Sequence, residues 1–277
     1  MNEENLKKAA IFLKESNFLL ITAGAGMGVD SGLPDFRGNE GFWRAYPYAK
    51  KLGVSFMELA NPIWFDTNPK LAWAFYGHRL NLYRATKPHI GFEILLNIAK
   101  EKEDYFVFTS NVDGQFQKAG FSENKIDEIH GTIHYLQCKD ACNPNIWSAK
   151  NIKIEVDLKN FQAKEPLPKC PQCKAIARPN ILMFNDFKWL SYKQERQREY
   201  LIDFLQKIKN KKLAIIELGA GTAVPTIRYA SQDFAREFNT KYIRINPAEF
   251  SGDSNAISIA LGAKEALEKI YKIYNSL

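Results

Sequence analysis

Four cysteines are the residues whose spacing most restricts their chemistry. Cys138 and Cys142 form one close pair, Cys170 and Cys173 form another, and residues 143–169 separate them. Two tight pairs let two turns approach a single ion, and four thiolates complete a tetrahedral site of the kind that holds zinc. Such a site leaves no open coordination position, so its metal would support structure and would not activate water. Redox-active thiols are the other chemistry open to these residues.

A second constellation follows the apolar run Phe18 to Thr22. Ala23-Gly24-Ala25-Gly26-Met27-Gly28-Val29 puts small residues where a strand would turn into a helix, and backbone N–H groups there can face a pyrophosphate. Glycine also serves any tight connection. The continuation Asp30-Ser31-Gly32-Leu33-Pro34-Asp35-Phe36-Arg37-Gly38, however, is not explained by packing. Asn111 and Asp113 leave the carboxyl end of another strand, the end at which open α/β sheets bind ligands. The imidazole of His130 titrates near neutral pH and suits general-base work. His78, His89 and His134 lack comparable flanking motifs.

These residues need a scaffold, and the sequence alternates strands with helices. Phe18 to Thr22, Tyr105 to Thr109, Leu213 to Leu218 and Lys241 to Ile245 read as buried parallel strands. Glu4 to Glu15, Lys70 to Arg84, Gly91 to Lys100, Lys193 to Ile208 and Thr226 to Phe238 carry apolar residues at helical spacing. The pattern predicts an α/β fold, a Rossmann-like doubly wound parallel sheet. The cysteine segment breaks the alternation, so it should be a small zinc-binding lobe, residues 135–178, inserted between 1–134 and 179–277 of the sheet domain.

Composition agrees with a packed globular chain: 277 residues, 45% hydrophobic and 25% charged. The net charge of +7 comes from lysines scattered along the chain, and neither a basic stripe nor an aromatic platform points to nucleic acid. The apolar stretch Phe18 to Met27 is far short of the ~20 residues of a bilayer span, and the start Met1-Asn2-Glu3-Glu4 is unlike a signal peptide. A cytoplasmic, membrane-free protein is expected.

The motifs in their order resemble those of the sirtuins, the NAD-dependent protein-lysine deacylases. Gly24-Ala25-Gly26 with Ser31 to Gly38 is similar to their signature turn, Thr109-Ser110-Asn111-Val112-Asp113 to their Thr-Gln-Asn-Ile-Asp, and His130-Gly131-Thr132 before Cys138 to their His-Gly-Ser…Cys. Arg178 to Phe184 resembles their substrate-clamping segment, and Ile245-Asn246 their late adenosine-ribose contact. The resemblance implies NAD as cosubstrate, one structural zinc, acyl-lysine proteins as substrates, and release of nicotinamide and O-acyl-ADP-ribose. It implies catalytic roles for His130, Asn111 and Asp113. Cofactor contacts would come from Ala23, Gly24, Ala25, Gly26, Asp35, Phe36, Arg37, Ser110, Asn111, Asp113, Gly219, Ala220, Gly221 and Asn246, and substrate contacts from Ile181, Met183 and Phe184.

Tyr76 and Arg79, three apart on a predicted helix, resemble the Tyr-x-x-Arg pair that receives an acyl carboxylate in the desuccinylase branch. This implies a preference for acidic acyl groups. The sequence departs from the family at Gly28, usually serine, at Ser110, usually glutamine, and at Phe184-Asn185-Asp186, usually Phe-Gly-Glu. Gly219-Ala220-Gly221 also replaces the usual Gly-Thr-Ser turn. These changes leave room for rival readings: an NAD or ADP-ribose sensor, or a protein mono-ADP-ribosyltransferase.

Overall fold

Strands β1 (Phe18–Ala23), β2 (Asp104–Thr109), β3 (Ile126–Glu128), β9 (Leu213–Leu218), β10 (Tyr242–Ile245) and β11 (Ala256–Ile259) form one parallel sheet in a computed structural model that describes residues 2–34, 42–43, 46–51, 53–208 and 210–277. Their spatial order is β11-β10-β9-β1-β2-β3. Counted along the chain within this sheet, that is the doubly wound order 3-2-1-4-5-6. The order reverses between β1 and β9, so the ligand crevice of such a sheet lies beyond the ends of those two strands.

Side chains alternate across the sheet because the strand period is two. Leu19, Ile21, Val107, Ile216 and Ile243 enter a core built with the helices Asn2–Glu15, Ile90–Lys100 and Ala263–Tyr274. Phe18, Leu20, Phe106, Phe108 and Ile215 enter the core on the other face, against the helices Tyr192–Lys207 and Thr226–Glu237. Both faces are covered, which explains why the central strands read as unbroken apolar runs. A charged cross-strand pair interrupts them, Arg244 on β10 opposite Glu217 on β9, which is buried and bidentate at 2.6 and 2.9 Å.

Strands β4 (Gly131–Cys138), β5 (Ile146–Ser148) and β8 (Ala177–Ile181) make a small antiparallel sheet, and β6 (Val156–Asp157) pairs with β7 (Gln162–Ala163). Their apolar side chains share a third core with residues from Leu33 to Tyr83, including those of the Pro69–Ala85 helix. Gly77 on that helix lets it approach Ile154, because a methyl there would meet the Ile154 side chain at 2.3 Å. Among the described residues no helix is long and apolar enough to cross a membrane.

Candidate active site

At the switch point the turns after β1 and β9 touch. A Cβ on Gly24 would lie 2.8 Å from the Gly219 carbonyl oxygen, and one on Gly219 would lie 2.2 Å from the Met27 nitrogen. Gly219 also has φ +60°, so glycine is required there on two counts. The Gly26 N–H donates to the Gly219 carbonyl at 3.0 Å, which ties the turns together and commits that donor within the protein. Ala25 is exposed at the head of a 3₁₀ helix, Ala25–Ser31. Gly28 stands within this helix against Leu33, where an added Cβ would meet the leucine at 3.1 Å. A serine there would need the Leu33 side chain to shift by a few tenths of an ångström.

The end of β2 is bound to the same place. The Thr109 hydroxyl donates to the Ala23 carbonyl at 2.9 Å, and the Ser110 N–H donates to it at 3.2 Å. The Asn111 amide donates to the Gly24 carbonyl at 3.0 Å. Asn111 and Asp113 are buried in the loop beyond the strand, and Asp113 Oδ1 accepts the Gln115 N–H at 2.9 Å. On the far side, Asn246 is fully buried: its amide donates to the Ala220 carbonyl, and its oxygen accepts the N–H groups of Ala248 and Glu249. Asn246 therefore shapes the loop that carries Ala220 and Gly221.

His130 stands at the end of the short link from β3 to β4, half-buried. Gly131 follows with φ +74°, and a Cβ there would lie 2.2 Å from the Asn180 carbonyl oxygen, so the His-Gly order is a steric requirement. The Leu182 N–H donates to the His130 carbonyl at 2.9 Å, which joins the candidate base to the candidate substrate segment. In that segment Ile181 and Met183 are buried, Leu182 between them is exposed, and Phe184 packs edge-on against Phe56. Asn185 has φ +57°, a conformation that glycine adopts freely and asparagine tolerates, which accounts for the departure from Phe-Gly-Glu. Asp186 then reaches inward to a buried ion pair with Arg178 and accepts the Met183 N–H at 3.3 Å.

The four cysteine sulfurs lie within 4.8 Å of one another, and none is in a disulfide. Cys138 and Cys173 are 3.5 Å apart, and Cys142 and Cys170 are 3.7 Å apart. A tetrahedron with Zn–S bonds of about 2.3 Å has sulfur edges of about 3.8 Å, so the cluster fits one zinc ion.

Residues 24–204 match the protein-family model described as the Sir2 family. The chain belongs to that family. Similar Sir2 relatives include the NAD-dependent protein deacylase of Leptospira interrogans, 30% identical over 87% of this chain and 86% of that protein. The NAD-dependent protein deacylase of Aquifex aeolicus is 29% identical over 86% of each chain. Among solved structures, a Sir2 homologue in complex with NAD superposes with a TM-score of 0.73 at 23% identity, covering 100% of this chain and 94% of that one. A Sir2 mutant with p53 peptide and NAD gives 0.70 at 19% identity, covering 98% and 99%. The Rossmann-like fold read from the sequence is therefore the Sir2 fold.

Within this Sir2 chain the expected cofactor loop of Asp35, Phe36 and Arg37 lies outside the described residues. Tyr76 and Arg79 lie together, buried, on the Pro69–Ala85 helix. Arg79 Nε donates to the Tyr83 hydroxyl at 3.0 Å, and the guanidinium stands over the Phe75, Tyr76 and Tyr83 rings. The same helix meets the segment beyond β2, where the Gln115 side-chain amide donates to the Tyr83 carbonyl at 3.2 Å.

Burial lowers the pKa of His130, against a smaller opposing contact with the Ser110 backbone. Its imidazole is thus neutral, and able to accept a proton, at pH 7. Burial pushes Asp113 up to about 6; the Gln115 N–H opposes this rise and the Glu128 carboxylate adds to it. A lowered histidine stays neutral further into acid, whereas a raised carboxyl takes up its proton earlier. We expect kcat/KM for NAD to reach a plateau above about pH 7 and to fall through a midpoint near 6 as Asp113 protonates. A pH–rate profile with its acid limb centred well above 7 would contradict these assignments.

Proposed function

We propose that this Sir2-family chain is an NAD-dependent protein-lysine deacylase whose site is the crevice between the switch-point turns and the Arg178–Phe184 segment. One observation carries the reading: His130 is bonded through its carbonyl to the substrate segment, while its ring lies beside the Ser110 backbone, at the start of the Asn111–Asp113 loop. NAD, when bound, supplies an electrophilic ribose carbon and nicotinamide as its leaving group.

The chain's own residues do the rest. The paired glycine turns after β1 and β9 give the dinucleotide a close backbone approach. Asn111 and Asp113 orient the ribose and the nicotinamide amide, and Asp35, Phe36 and Arg37 are assigned to shielding the reactive carbon and pairing with phosphate. His130 takes a proton from a ribose hydroxyl. Ile181, Met183 and Phe184 hold the acyl-lysine strand through the shape and backbone of their segment. Cys138, Cys142, Cys170 and Cys173 hold one zinc, which keeps the 135–178 lobe folded beside the sheet domain and takes no part in the chemistry.

Tyr76 and Arg79 favour a succinyl, malonyl or glutaryl group over acetyl. The support is the guanidinium placed against Tyr76 and Tyr83, on a helix bonded at Tyr83 to Gln115 just beyond Asp113, where an acyl carboxylate would gain charge-assisted hydrogen bonds. The test is a panel of acyl-lysine peptides with the parent chain and Arg79→Met. The variant should lose turnover of acidic acyl groups at least about tenfold more than turnover of acetyl, in line with the energy of a hydrogen bond to a charged group. Equal losses on both peptides would assign Arg79 to packing alone.

A further inference from the structure

His134 showed no motif in the sequence, yet it sits directly behind the loop assigned to NAD. Residues 133 and 134 of β4 hold successive carbonyls of that loop: the Ile133 N–H donates to Val112 at 3.0 Å, and His134 Nε2 lies 2.9 Å from the Asp113 carbonyl oxygen. A carbonyl only accepts, so the imidazole proton resides on Nε2. Gly114 makes the contact sterically feasible. It has φ +69°, and a Cβ there would lie 2.7 Å from both Cδ2 and Nε2 of His134. A cavity of about 320 Å³ adjoins the turn, lined in part by Asp113, Gly114, Glu128, His134 and Lys193. Without the imidazole the turn would border open space on that side.

We infer that His134 is a positioning residue: through the Asp113 carbonyl it fixes the Asn111–Asp113 loop in the geometry that binds NAD, on the strand that begins immediately after His130. This rests on the assignment of that loop to NAD. The hydrogen bond carries the role because it restrains the one peptide that separates Asp113 from the left-handed Gly114. A packing role alone would need only bulk at position 134.

Two substitutions in the full-length, zinc-loaded chain separate donor from bulk. His134→Leu keeps apolar volume without a donor, and His134→Gln presents an amide N–H near the place of Nε2–H. Losing one hydrogen bond is worth about three- to tenfold in an equilibrium. His134→Leu should therefore raise KM for NAD by about that factor and leave KM for the acyl-lysine peptide within about twofold, and His134→Gln should restore KM for NAD to near the parent value. If His134→Leu does not fold, His134→Asn, whose amide is too short to reach, takes its place against His134→Gln. Equal NAD constants in the donor and donor-free variants would overturn the inference. Asn111→Ala, run alongside, keeps the two claims apart. If it leaves NAD binding unchanged, the loop assignment itself fails; if it weakens NAD while His134→Leu does not, only the role of His134 fails.

Discussion

His130→Ala should lower the deacylation rate by roughly 10²- to 10⁴-fold, the usual contribution of a positioned general base, while calorimetric binding of NAD stays within a few-fold of the parent. The separation follows from the geometry. The turns assigned to the dinucleotide are held by backbone contacts among Ala23, Gly24, Gly26 and Gly219 and by the Asn111 amide, none of which involves the His130 ring. The carbonyl of His130, which anchors Leu182, is also retained in the variant. Only the proton acceptor is lost. A variant that turned over at the parent rate would remove His130 from the mechanism, and one that lost NAD binding entirely would make it a structural residue.

Cys170→Ala should release the metal and unfold the small lobe, with loss of deacylation although no residue facing NAD has changed. Structural zinc in small modules is bound with apparent free energies of about 10–16 kcal/mol, and that binding energy is folding energy. Strands β5, β6 and β7 are two or three residues long, so apart from the apolar core shared with the Pro69–Ala85 helix the segment has little regular structure of its own. Damage there reaches the site along a short route: β4 ends at Cys138, one of the four cysteines assigned to the zinc, and begins at Gly131 beside His130. Metal analysis with thermal unfolding tests this, and a folded, active, zinc-free protein would refute it.

The sheet was legible where burial on both faces leaves uninterrupted apolar runs, as in β1, β2, β9 and β10. The edge strands β3 and β11 were not read. Ile126–Glu128 is three residues long and carries Asp127 and Glu128, whose buried carboxylates meet polar partners on the Tyr192–Lys207 helix, so it has no apolar signature. The Ala263–Tyr274 helix does carry a sequence signal, since Ala266, Leu267, Ile270 and Tyr274 have helical spacing and are buried. The cysteine site was legible from spacing alone because few other chemistries use two such pairs. His134 was not, because its partner is a backbone carbonyl twenty-one residues away, and a backbone acceptor leaves no residue type to recognise. The sequence shows that Asn185 departs from the usual glycine, but only its left-handed φ shows a second residue type meeting the demand that glycine usually meets.

The central claim is that nicotinamide release and lysine deacylation are one reaction at one site. Incubating the chain with NAD and an acyl-lysine peptide, and weighing both products by mass spectrometry, tests it most directly. One nicotinamide should be released for each lysine freed, with the acyl group recovered on ADP-ribose and negligible nicotinamide without the acylated peptide. Nicotinamide release that proceeds without acyl-lysine, or ADP-ribose found attached to protein while the acyl-lysine remains intact, would contradict it.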